Sequence, residues 1–222
     1  MSKVYIGTAD VEDWRKLIRA GHFSADYSAQ LTAESWLDAE GFPETLAAIF
    51  ADAGEPFASL TPLLVFPEHK VALPGGSVGT QSDVWCLAAH GSGLASLSVE
   101  GTKGEGFGPT LDVWQRTTTS GRKTRLAYLV ELLGLTPPLP QNLRYQFLHR
   151  TASAIIEAKR FRAEVAVLVL QSFTPDNDGF GDFEQFLRLM GVMSPITPDA
   201  VIPVAVRDGV MLYAVWARSA AK

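Results

Sequence analysis

The run Val165-Ala-Val-Leu-Val-Leu170 constrains this chain more than any other segment. A strand with one face in solvent alternates apolar and polar side chains. One that is apolar at every position is covered on both faces and sits inside a sheet that carries helices above and below. The longest helical pattern in the chain, Asn142 to Phe161, comes just before the run. Strand, helix and strand in that order make a crossover, so residues 164–172 are expected to pair in parallel with an earlier strand.

The earlier strands are legible from turns and alternation. Thr61 to Phe66 is a short apolar strand ending at Pro67-Glu68-His69-Lys70, and a loop rich in Gly and Pro follows, Leu73 to Gly79. Asp83 to Ala89 and Leu94 to Thr102 flank the turn His90-Gly91-Ser92-Gly93 and form a hairpin. A second hairpin, Val201–Val206 with Val210–Trp216, turns at Arg207-Asp208-Gly209. Helices are expected from an Asp10 cap to about Arg19, from Ser28 to Ala39, and from Pro43 to near Gly54. Two more run from Gly121 to Leu133 and from Phe183 to Met190. The expected fold class is α/β, a mixed central sheet flanked by helices. The chain reads as a single domain over 1–222, with a helical N-terminal part (1–58), a core (59–173) and a C-terminal helix and hairpin (174–222).

Composition narrows the function classes. Apolar residues at 47% against 19% charged supply a sizeable core. The net charge of −5 gives no global positive field, which argues against constitutive non-specific nucleic-acid binding but leaves room for an enzyme that works through a metal ion. The single cysteine, Cys86, excludes an internal disulfide and a cysteine-based zinc site, and its apolar neighbours point to a buried thiol. The segment before Trp14 holds no long apolar run, and no stretch reaches the ~20 apolar residues of a membrane helix, so a cytoplasmic protein with no membrane partner is expected. The four histidines lack HExxH-type spacing, and Gly104 to Gly108 lacks a Walker lysine.

The residues that could carry chemistry are acids on strands. Asp83 opens one hairpin strand and Glu100 lies near the end of its partner, so antiparallel pairing brings the two carboxylates to one edge of the sheet. Two oxygen ligands there suit a hard cation, Mg²⁺ or Mn²⁺. Glu68, beside His69 and Lys70, could add a third carboxylate. Gln146, His149, Arg150 and Ser153 share one face of the long helix. Because Tyr145, Phe147 and Leu148 crowd the same helix, that polar stripe is expected to face a cleft.

Five stretches carry a resemblance: Phe66 to Gly76 (FPEHKVALPGG), Gln81-Ser82-Asp83, Val99 to Lys103 (VEGTK), Phe107 to Thr110 (FGPT) and Leu143 to Ser153 (LRYQFLHRTAS). Together they resemble the PD-(D/E)XK nuclease-like superfamily, and more narrowly a bacterial family within or near it. The resemblance implies a restriction-endonuclease-like core over 59–173. Asp83 matches the first metal-binding acid, Glu100 the acid of the ExK pair, and Gln146 the helix glutamine of several branches. The lysine of the pair should stand two residues after Glu100, where Thr102 is found. Lys103 comes one place later and on a regular strand points to the opposite face. A bulge at Gly101 would re-aim it; Lys70 or Arg150 are substitutes. The implied function is metal-dependent phosphodiester hydrolysis of nucleic acid. Asp83, Glu100, Lys103, Gln146 and His149 would be catalytic, and Asp83, Glu100 and Glu68 would hold Mg²⁺ or Mn²⁺. The alternative is a lapsed nuclease-like domain acting as an interaction or assembly module. The oligomeric state is left open, a homodimer included.

Overall fold

The computed structural model of the protein describes residues 10–18, 28–91 and 93–219. The strands are β1 (Thr61–Val71), β2 (Thr80–His90), β3 (Gly93–Thr102), β4 (Val165–Ser172), β5 (Val201–Arg207) and β6 (Val210–Arg218). All six lie in one open mixed sheet, in the spatial order β1-β2-β3-β4-β6-β5. The β1–β2, β2–β3 and β5–β6 pairs are antiparallel, whereas β4 pairs in parallel with β3 on one side and with β6 on the other. The C-terminal hairpin thus completes the sheet beyond β4.

The apolar run behaves as its pattern demands. Every residue of β4 is buried. Val165, Val167 and Val169 face a core built by α1 (Val11–Arg15), α2 (Ser28–Leu37) and α3 (Glu44–Asp52), with Trp14, Trp36 and Phe50 among its members. Ala166, Leu168 and Leu170 face the opposite core, under α4 (Leu111–Gln115), α5 (Ser120–Leu132), α6 (Tyr145–Phe161) and α7 (Phe180–Leu189). Cys86 is buried as expected. Asp10 caps α1 by accepting from the Asp13 N–H at 2.8 Å. The expected helix end at Arg19 and the turn residue Ser92 lie outside the described residues. The long helix starts at Tyr145 rather than Asn142, because the backbone just before it is already engaged: Leu143 O accepts from Leu111 N, and Thr110 bridges Arg144.

Two strands are longer than their apolar content announces, and this relocates two of the acids. β1 continues through Pro67 to Val71, and β2 begins at Thr80 instead of Asp83. Pro67 is tolerated because β1 is an edge strand, where a missing N–H leaves no neighbour unpaired. Glu68 and Asp83 are therefore inside strands and not at their ends. The β1–β2 ladder runs on to Val71↔Thr80, whereas the β2–β3 ladder stops at Val84↔Val99. Beyond that point the β1–β2 ribbon leaves β3, and the sheet forks. Helix α6 packs across β2, β3 and β4 on one side of the fork.

Candidate functional site

Asp83 stands at the fork and takes over the lost ladder. Its Oδ2 accepts from the backbone N–H of Gly101 at 2.8 Å, so the β3 amide keeps a partner after β2 has turned away. The side-chain alternation of β2 slips here. Ser82 Oγ meets Ser98 Oγ at 2.6 Å and Trp85 Nε1 donates to Ser96 Oγ at 2.9 Å. Ser96 and Ser98 share a face of β3, so residues three apart on β2 point the same way, which is possible only with a slip at Asp83–Val84. Across from it on β1, between the pairs Pro67↔Val84 and His69↔Ser82, Glu68 sits at a φ of 51°. A non-glycine residue in that left-handed region costs on the order of 1–2 kcal/mol, a cost that survives where the surroundings dictate it.

Glu68, Asp83 and Glu100 thus form a row across three neighbouring strands, and each is secured by its own donors. Glu100, 7% exposed, accepts from Gln146 Nε2 at 2.6 Å and from the Arg150 guanidinium through Nε to Oε2 and Nη2 to Oε1. Glu68 accepts from Gln81 Nε2 at 2.6 Å and from Trp14 Nε1 at 3.4 Å. Burial pushes the Glu100 carboxyl up to about 8; Arg150 opposes that rise and Asp83 adds to it. Burial and then the Asp83 charge push Glu68 up to about 7. Asp83 is raised by burial against the pull of Arg150 and of the Gly101 N–H. Among the described residues three carboxylates face one guanidinium, which leaves two negative charges uncompensated when all are ionised.

That donor set fits a hard divalent cation in chemistry and in charge. Among the described residues, no group of three or more His, Cys, Asp or Glu is gathered tightly enough to hold an ion as it stands. The cation that Glu100 meets is Arg150.

Helix α6 brings the expected stripe to this edge of the sheet. Arg150 Nη1 donates to Thr80 Oγ1 at 2.9 Å, and Thr80 Oγ1 lies 2.8 Å from His149 Nδ1. Thr80 thus joins Arg150 and His149, and whichever of Nδ1 and Oγ1 supplies the proton, the hydrogen bond fixes the plane of the ring. Burial, with Arg150 and Arg125 nearby, holds His149 well below the usual histidine range, so it is neutral at pH 7. The last residue of the stripe, Ser153, is fully buried with no hydrogen-bond partner among the described residues.

The lysine position is where expectation and structure part. Thr102 lies on the Glu100 face of β3, is 1% exposed, and donates from Oγ1 to Glu105 O at 3.2 Å. Lys103 falls just past the end of β3, in a bend, so strand alternation no longer dictates where it points. No bulge re-aims it: the β3–β4 register runs without a shift from Ala95↔Val165 to Thr102↔Ser172. Gly101 is a glycine for another reason, since a Cβ there would collide with Thr32 Oγ1 of α2.

One acid escaped the sequence reading. Glu105 accepts from Ser28 N at 3.1 Å, from Ser28 Oγ, and from Lys103 N at 2.7 Å, which ties the loop after β3 to the start of α2. Burial alone would raise its carboxyl, but the Ser28 bond and the backbone N–H groups bring it below the ordinary range. Its only signal was an acid set between Gly104 and Gly106. His69, by contrast, turns away from the row. Its ring stacks on Trp85 with centroids 4.9 Å apart, and its Nε2 lies 3.5 Å from the fully buried Glu157 of α6, which also pairs with Arg160.

No curated protein and no solved structure matches the chain. The model of a domain of unknown function, DUF6946, matches residues 7–221, and the chain belongs to that family.

Proposed function

We propose that the chain is a phosphodiesterase of PD-(D/E)XK type that cleaves nucleic acid with Mg²⁺ or Mn²⁺. One observation carries the reading: Glu68, Asp83 and Glu100 stand on three adjacent strands where the sheet forks, and Arg150 is the guanidinium among them in the described residues. The element order supports it as well, since three antiparallel strands are followed by a long crossover helix and a parallel fourth strand. Asp83, Glu100 and Glu68 would hold the ion. When bound, it supplies Lewis-acid polarisation of the phosphate and a more acidic attacking water.

The protein's own groups position these parts. The Gly101 N–H fixes one oxygen of Asp83 and leaves the other free to turn toward a ligand. Gln146 and Arg150 hold both oxygens of Glu100. Arg150 brings positive charge to where a phosphoryl group gains negative charge during attack, and Lys103, just past the end of β3, would add to it. His149, neutral and held by Thr80, stands beside these groups as an uncharged ring and not as a proton source. A second reading, a lapsed site kept as an interaction or assembly module, draws on the buried Thr102 in place of the lysine.

The test is cleavage of single- and double-stranded DNA and RNA with millimolar Mg²⁺ or Mn²⁺, alongside Mn²⁺ titration calorimetry. Cleavage by the wild type that disappears in Asp83→Asn and in Glu100→Gln is the expected result. Mn²⁺ binding without cleavage favours the lapsed module, and absence of both overturns the nuclease reading.

A further inference from the structure

Beside the acid row lies a cleft of about 510 Å³ whose electrostatics are the reverse. It is bounded by Leu17 after α1, by Lys70 and Gln81 of the β1–β2 ribbon, by Val78 of the loop between them, and by His149 and Arg150 of α6. Among the described residues that line it, none is an acid. Two side chains belong to both places: Gln81 donates to Glu68, and Arg150 binds Glu100. Within one residue's width the surface changes from a row that attracts a cation to a hollow that attracts an anion.

We infer that this cleft binds the phosphate of the nucleotide next to the one cleaved, a subsite that rests on the phosphodiesterase reading of the acid row. Lys70 is exposed and has no ion-pair partner among the described residues. An ammonium left without a counter-charge beside a cleft is a natural phosphate contact. Arg150 spends three N–H groups on Glu100 and Thr80, and a guanidinium has five, so two remain for an anion.

The wall opposite α6 is built in advance. Arg125 of α5 donates to Pro74 O at 3.0 Å and to Val78 O at 2.6 Å, which pins the β1–β2 loop. Gly75 is at a φ of 85° with its α-carbon pressed on Gly121 of α5, and Gly79 lies so close to the Val71 carbonyl that neither position tolerates a Cβ. A pocket fixed by backbone contacts does not have to order itself when the ligand arrives. At its mouth Val78 is 74% and Leu17 47% exposed, apolar surface suited to a sugar or base face. The volume lies in the range of small-ligand sites, roughly 300–1,000 Å³.

The experiment is titration calorimetry of the full chain in EDTA with three probes: thymidine 5′-monophosphate, inorganic phosphate and thymidine. The nucleotide should bind best, and Lys70→Glu should weaken it by about tenfold with an unchanged melting temperature, since Lys70 is exposed. Lys70→Ala should weaken it less. Thymidine binding as well as its monophosphate, no binding at all, or indifference to Lys70→Glu overturns the inference. Equal affinity for inorganic phosphate overturns the assignment to a nucleotide. Phosphate-dependent binding by a protein that neither takes Mn²⁺ nor cleaves nucleic acid upholds the cleft and overturns the nuclease reading. Metal-dependent cleavage without phosphate-dependent binding overturns the cleft alone.

Discussion

Glu68 shows how a single carboxyl is shaped by its neighbours. It occupies a left-handed backbone position opposite Asp83, half-buried, with both oxygens engaged by neutral donors, Gln81 and Trp14. Neutral donors satisfy the oxygens without balancing the charge, which is why burial and Asp83 together carry its pKa to about 7. Glu68→Gln keeps both hydrogen bonds if the Gln81 amide turns over, and it removes the charge. In EDTA at pH 8 this variant should melt a few degrees above the wild type, where 1 kcal/mol corresponds to roughly 2–4 °C. At pH 5, with Glu68 protonated in the folded wild type, the gain should be much smaller. Its Mn²⁺ affinity should fall at the same time. A variant that melts lower than the wild type at pH 8 would show that the ionised carboxylate is needed for stability and not for an ion. At this scale the sequence was only partly legible. Pairing rules brought Asp83 and Glu100 together, but Glu68 read as a strand-end acid, because nothing in Pro67-Glu68-His69-Lys70 signals a strand that continues.

Gly101 links the site to the elements around it. Its hydrogen on Cα lets α2 come down onto β3, with Thr32 Oγ1 in the space that a Cβ would fill, while its N–H holds Asp83. Gly101→Ala should therefore destabilise the protein by about 1–3 kcal/mol, the usual cost of overpacking. Thr32→Ala should recover most of that loss in the double variant. The Thr32 hydroxyl has no hydrogen-bond partner among the described residues, so its removal alone costs little. Chemical denaturation of the four proteins in a double-mutant cycle measures the coupling; additive effects would mean that α2 moves aside freely. The sequence suggested a bulge at this glycine, which was a reasonable use of a strand glycine but the wrong one. A glycine required by tertiary approach leaves the same trace in a sequence as one required by backbone conformation. The elements themselves were far more legible. The buried β4, the β2–β3 hairpin and the crossover helix follow from periodicity and turns, whereas the polar extensions of β1 and β2, and with them the fork, depend on pairing that no local pattern records.

At the scale of the whole molecule, the acid row couples stability to pH in the direction opposite to ordinary salt-bridged carboxylates. Glu68 and Glu100 rise from 4.5 to about 7 and about 8. Between pH 4.5 and 8 the folded chain therefore holds protons that the unfolded chain has released. Stability changes with pH as the protons bound by the unfolded state minus those bound by the folded state, so this difference is negative and stability falls as pH rises through that window. Glu105, Asp112 and Glu164 are lowered and act the usual way, gaining stability as pH climbs through the acid range. In EDTA the melting temperature should therefore peak near pH 5 and decline toward pH 8. A bound divalent ion reverses the decline. It requires the ionised carboxylates, so its binding releases protons and its affinity grows with pH. Millimolar Mg²⁺ should change little at pH 5 and add several degrees at pH 8, since a ligand at a hundred times its Kd contributes about 2.7 kcal/mol. Asp83→Asn should flatten the Mg²⁺ response at every pH and lessen the decline in EDTA, because one of the repelling charges is gone. Thermal unfolding at matched ionic strength from pH 5 to 8, with EDTA and with Mg²⁺, tests both halves. If the EDTA curve rises toward pH 8, Arg150 alone balances the row and no ion is wanted. If it falls and Mg²⁺ leaves it unchanged, the row is strained but takes no ion, and the lapsed-module reading gains the advantage.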